Sequence, residues 1–156
     1  MIRAWKNQWL TTFRHRVACA QQIMPVDLRY LFLFFVFAGL ALVYTYASMF
    51  WSLWDKASRI SVGISGLLGI VNGILTVLFF LLIGQTEWKR TIEQIQFIAA
   101  ANLLLELSGL AVSGLQASRE VGWSLDMFTV FLFQIGNLIF TLGVLRFARL
   151  LERYEG

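Results

Sequence analysis

Residues 30–84 read YLFLFFVFAGLALVYTYASMFWSLWDKASRISVGISGLLGIVNGILTVLFFLLIG, two long apolar runs separated by the polar segment 55–59. Crossing ~30 Å of hydrocarbon takes roughly 20 apolar residues in a helix, and the runs at 30–54 and 60–84 each meet that requirement. A link this short can only turn the chain back, so the two helices are expected to be antiparallel neighbours. The pattern then repeats. Apolar runs at about 95–117 and 124–147 flank a short segment at 118–123, and the polar stretch GQTEWKRTIEQ (84–94) joins the two hairpins. The expected fold is an all-α membrane protein: an antiparallel bundle of four transmembrane helices over 25–148. An amphipathic interfacial helix over 1–24 precedes it, and a cytoplasmic tail over 149–156 follows.

Composition agrees. The 156 residues are 58% hydrophobic with a mean hydropathy of +0.70, against ~45–50% apolar in soluble domains. The single proline, Pro25, precedes the first run. Uninterrupted helices satisfy every backbone N–H and C=O internally, as hydrocarbon demands, so a transporter built on proline-broken helices is not expected. The first run is much longer than the ~7–15-residue core of a signal peptide and is read as a span. Cys19 and His15 are the only cysteine and histidine. No disulfide can form within the chain, and bis-histidine haem or the usual zinc sites need more ligands; no cofactor or metal is expected.

The 13 Lys and Arg residues orient the spans. Arg3, Lys6, Arg14, Arg16 and Arg29 precede the first, Lys89 and Arg90 lie in the middle link, and Arg146, Arg149 and Arg153 close the fourth. Only Lys56, Arg59 and Arg119 fall on the other side. Ten against three is a positive-inside bias, which puts both ends of the chain and the middle link in the cytoplasm of, by expectation, a bacterial inner membrane. Trp51, Trp54 and Trp123 then form an outer aromatic belt, with Tyr30 and Trp88 at the inner interface. The formal charge of +4 is a topology signal, and nucleic-acid binding is not expected.

Within 1–24, Ile2, Trp5, Trp9, Phe13 and Val17 recur at three- and four-residue steps, one helical face, while Arg3, Lys6, Arg14, His15 and Arg16 take the others. Such a helix is expected to lie in the inner interface with its cations near anionic headgroups; the alternative is a docking helix for a soluble cytoplasmic partner, and the two can coexist. Lys89 and Arg90 of the middle link, and Arg149 and Arg153 of the tail, extend the candidate docking surface. The outer turns leave no room for a folded domain.

Inside the spans the polar residues are few and aligned. Ala99, Asn102, Glu106, Gly109, Ser113 and Gln116 share one face of the third helix. Ser65, Gly69, Asn72 and Thr76 stripe the second, Gln134, Asn137 and Thr141 the fourth, and the first offers Ala38, Ala41, Thr45 and Ser48. At ~1.5 Å per residue, Asn72, Glu106, Gln134 and Asn137 sit on the order of 15–20 Å from the outer ends. A shared midplane layer of Asn72, Asn102, Glu106, Gln134 and Asn137 follows if the stripes face one another. No Lys or Arg shares this depth, and an ionised carboxylate there is costly, by ~2.5–3.5 kcal/mol or more on insertion scales for comparable charges. Hydrocarbon therefore favours the neutral acid, which is expected to donate to Gln134 or Asn137 and to accept from Asn102. The layer packs the helices or forms a proton or cation site.

Gly63, Gly66, Gly69 and Gly73 crowd the second helix, and Gly109 with Ser113 makes a small-xxx-small pair in the third. Such surfaces let helix backbones approach closely, either within one bundle or at a homo-oligomer interface. No nucleophile elbow, P-loop, HExxH or His-bearing triad is present, so the chain is not read as an enzyme. Two functions remain. One is a non-enzymatic membrane subunit, a homo-oligomeric scaffold, sensor or anchor that engages a cytoplasmic partner, as small components of bacterial defence, immunity or secretion systems do. The other is an oligomeric ion or proton channel or transporter built on the layer around Glu106.

Overall fold

The computed structural model describes residues 2–83 and 87–155, with side chains from residue 8 onward and up to 154. Among the described residues there are five α-helices and no strand. They are α1 (Ile2–Ile23), α2 (Val26–Leu53), α3 (Arg59–Leu82), α4 (Trp88–Gln116) and α5 (Leu125–Glu155). A π-helical turn, Ala117–Val121, extends α4. Four of these helices, from α2 onward, are long and apolar enough to cross a membrane.

The breaks follow local chemistry. Pro25 has no N–H to donate and sits at the cap position of α2, where that loss costs nothing because the first helical N–H groups lack intrahelical acceptors. Ser58 caps α3 by accepting from the Ser61 N–H, and the Ser124 hydroxyl accepts from the Met127 N–H in the first turn of α5. Gly122, the only described residue with positive φ (79°), redirects the chain after the π-turn. Helix lengths exceed the apolar runs. Lys89, Arg90 and Glu93, expected in a link, lie in the first turns of α4, and α5 carries Arg149 and Arg153 without a break. Hydropathy ends where hydrocarbon ends, but backbone hydrogen bonding does not, so solvated turns continue the helices.

Helix α3 is the most enclosed span because it presents two different faces. Its glycines turn to α2. A Cβ on Gly63 would lie 3.7 Å from Trp54, one on Gly66 would lie 2.9 Å from Phe50, and one on Gly69 would meet the Tyr46 ring at 2.1 Å. A Cβ on Gly73 would meet the Gly39 carbonyl oxygen at 2.5 Å. Large rings of α2 fill the space that the absent side chains leave. The small stripe is thus occupied within the chain, and the close approach needs glycine. Of the small and polar residues that α2 offers, Ala38 is half-buried and Ala41, Thr45 and Ser48 are exposed, while Phe32, Phe35, Val36, Gly39, Tyr46 and Met49 are buried. Aromatic volume, rather than small size, decides which side of α2 meets a glycine helix.

The other face of α3 carries Ser61, Ser65, Asn72 and Thr76, all buried. Helix α5 turns Met127, Val130, Gln134, Asn137, Thr141, Val144, Phe147 and Leu151 inward at three- and four-residue steps. Apolar clusters lie toward both ends of the bundle. At the end nearest α1, Phe32, Phe35, Phe80 and Phe147 pack in ring contact, with Phe35 and Phe147 stacked at 5.2 Å. Ala20 of α1 and Met24, just after it, are buried in the same cluster. Tyr46, Met49, Leu53, Val62 and Val130 form the cluster at the far end.

Trp5 lies outside the residues with described side chains. Trp9 is 55% exposed and stacks on Phe13, which packs against the core. Arg14 and His15 are exposed, and Arg16 is half-buried.

Candidate functional site

The polar residues of three helices meet in one layer. Asn72, Asn102, Glu106, Gln134 and Asn137 are all buried, Glu106 with 3% of its surface exposed. Glu106 sits ten residues before the end of α4, ~15 Å along the axis, deep in the span.

Glu106 Oε1 is the hub. It accepts from Thr141 Oγ1 at 2.6 Å and Asn102 Nδ2 at 2.9 Å, with Asn72 Nδ2 more distant at 3.4 Å. The two hydrogens of the Asn72 amide serve its shorter contacts, to Asn137 Oδ1 at 2.8 Å and Thr141 Oγ1 at 2.9 Å. Asn102 and Glu106 are one turn apart on α4, so that bond follows from spacing alone.

The other expected partners are taken differently. Thr141, one turn beyond Asn137, reaches Glu106 where Gln134 or Asn137 was expected. Gln134 lies nearer the far end, where its Nε2 donates to Ser113 Oγ at 2.7 Å. The axial register of α5 against α4 sets this choice. Above that level, Ser58, the cap of α3, and Ser61 within it both donate to Gln116 Oε1, the latter at 3.0 Å. Polar pairs therefore climb from Glu106 to the far end of α3 and α4. In the opposite direction they stop at Thr76 and Asn102, where the phenylalanine cluster begins.

Gly109 belongs to the layer sterically. A Cβ there would lie 3.0 Å from Ile64 Cγ2, so α4 also approaches α3 closely, and Ser113 beside it is fully buried. Tyr46 was not singled out from sequence, yet it is buried at this level and donates its hydroxyl to the Phe133 carbonyl across the bundle. A tyrosine about two turns from the nearest end of a mostly apolar helix is the signal that would have found it.

No family model, curated protein or solved structure matches this chain. Its chemistry must be read from the site itself. Among the described residues no three His, Cys, Asp or Glu side chains come together, and Glu106 stands as a lone carboxyl among amides and hydroxyls. The candidate docking residues stay apart from it: Lys89, Arg90, Arg149 and Arg153 are exposed, on the turns of α4 and α5 beyond the aromatic cluster.

Proposed function

We propose that the chain is a non-enzymatic integral membrane subunit, a homo-oligomeric scaffold, sensor or anchor that engages a soluble cytoplasmic partner. Membrane components of bacterial defence, immunity or secretion systems share this anatomy, a likeness of architecture alone. The observation that carries the proposal is the use of the midplane layer. Its amides and hydroxyls bond mainly to one another within a single chain, and a phenylalanine cluster closes one end.

In this reading the four apolar helices form an antiparallel bundle in an inner membrane. Its support is the falling order of α2–α3 contacts, Trp54 with Gly63, Phe50 with Gly66 and Tyr46 with Gly69. The excess of basic residues on one side favours a cytoplasmic α1 and a cytoplasmic end of α5. Helix α1 lies in the interface with Trp9 outward, held to the bundle by Ala20 and Met24. The outward Ala41, Thr45 and Ser48 of α2 offer a second copy a small-residue face.

The alternative, a channel or transporter, draws support from the polar pairs that rise from Glu106 to the far end. Conduction would also need a way past Phe35, Phe80 and Phe147. Liposomes holding the wild-type protein are therefore expected to pass neither protons nor alkali cations above the rate of empty vesicles. A flux that Glu106→Gln abolishes would overturn the scaffold reading. Recruitment is tested by surface substitution, because deleting 1–24 would strip Ala20 and Met24 from the core. Trp9→Ala with Arg14→Glu is expected to cut capture of the soluble product of a neighbouring gene about tenfold or more. Unchanged capture would remove α1 as the docking surface.

A further inference from the structure

Among the described residues, three buried side-chain oxygens have no hydrogen-bond partner: Ser65 Oγ, Glu106 Oε2 and Gln134 Oε1. They belong to residues of three different helices, and all three residues line one cavity, together with Leu68, Gly109 and Asn137. The cavity leaves about 10 Å³ for the centre of a water-sized sphere, close to the least that holds a single water. Three orphaned oxygens around one such space are costly unless something bonds to them together.

The surrounding bonds fix what each oxygen can do. Gln134 commits its amide nitrogen to Ser113, which leaves its carbonyl oxygen, a pure acceptor, for the cavity. Glu106 Oε1 already receives Thr141 and Asn102, so it acts as an acceptor and leaves Oε2 as the oxygen that carries either the proton or the charge. Ser65 adds a hydroxyl. The set is all oxygen, which suits a hard cation, and it contains one carboxyl, which balances one positive charge. The other titratable group buried at this level is Tyr46 of α2, committed to the Phe133 carbonyl. Among the described residues, helices α3 and α5 bring Ser65, Asn72, Thr76, Gln134, Asn137 and Thr141 to the layer, none of them charged.

We propose that Ser65, Glu106 and Gln134 form an occluded site for one small monovalent cation, either sodium or a proton held on Glu106 Oε2 beside one water. Access runs from the far end, along Ser58, Ser61, Gln116 and Ser113, because the phenylalanine cluster closes the other side. The site binds and holds without conducting. It rests on the membrane-bundle reading but not on recruitment of a partner, so either can fail alone.

Infrared difference spectra of wild type against Glu106→Gln, on protein in lipid nanodiscs, isolate the Glu106 carboxyl stretch. If sodium is the ligand, adding sodium at constant pH in choline buffer removes the protonated-acid band, and potassium does so far less. If the proton is the ligand, the band follows pH and ignores sodium. In either case Ser65→Ala, which fits the space without a clash, shifts the Glu106 band; in the sodium case it also weakens the response about tenfold, the worth of one good ligand. The proposal is overturned if Glu106 stays a carboxylate wherever the protein is folded and ignores sodium. It is equally overturned if Ser65→Ala leaves the Glu106 band unmoved.

Discussion

Gly73→Ala is expected to destabilise the bundle by about 3 kcal/mol, the upper part of the usual range for overpacking a tight core. The new methyl would lie 2.5 Å from the Gly39 carbonyl oxygen, 2.8 Å from Val43 Cγ2 and 3.2 Å from the Val43 nitrogen. Two of those atoms are backbone, so relief requires α2 and α3 to move apart, which would also loosen the Tyr46 ring on Gly69. Gly114→Ala is the matched control. Nothing lies within 4 Å of the added methyl, and alanine gains about 0.5–1 kcal/mol over glycine in a helix interior. Reversible unfolding in mixed micelles measures both. Equal stabilities for the two variants would show that α2 and α3 are not in this close contact.

The second large effect is expected at Glu106. Leucine keeps most of the volume but removes the acceptor for Thr141 and Asn102. Thr141 can turn its hydroxyl back to a helical carbonyl, whereas the Asn102 amide loses its short bond and keeps only the long contact to Thr141 Oγ1 at 3.5 Å. A cost of about 1–3 kcal/mol follows for leaving a buried donor unpaired, toward the lower end because polar groups unfolded in a membrane also find partners. Glu106→Gln retains an acceptor oxygen at the hub and is expected to stay within about 1 kcal/mol of wild type. The same unfolding assay decides. A leucine variant as stable as the glutamine variant would mean that the hub contributes nothing to packing.

Much of the fold is legible in the residues. Four runs of apolar side chains, each long enough for hydrocarbon, leave little choice, and the single proline falls where a helix can begin. The α4 stripe is equally legible, because Asn102, Glu106, Gly109 and Ser113 at three- and four-residue steps share a face in any straight helix. What spacing cannot supply is register between helices. Whether Glu106 meets Asn137 or Thr141 depends on a shift of one turn, set by the π-turn at 117–121 and by Gly122. The inward face of α2 is not legible for a related reason. Its few small and polar residues, Ala38, Ala41, Thr45 and Ser48, do not mark it, because a partner made of glycine accepts large rings, so Tyr46 and Phe50 face α3. The glycines themselves left two possibilities open from sequence, a neighbour in the same chain or in another copy, and all four on α3 turn to α2.

The most direct test of the central claim, four membrane spans with α1 and the end of α5 on the cytoplasmic side, is cysteine labelling in intact cells. In a Cys19→Ser background, single cysteines replace Gln8, Ala57, Glu120 and Tyr154, and a membrane-impermeant maleimide is applied before and after permeabilisation. Positions 57 and 120 are expected to label in intact cells, and positions 8 and 154 only once the membrane is opened. Labelling of position 8 or 154 from outside, or protection of position 57 or 120, would contradict it.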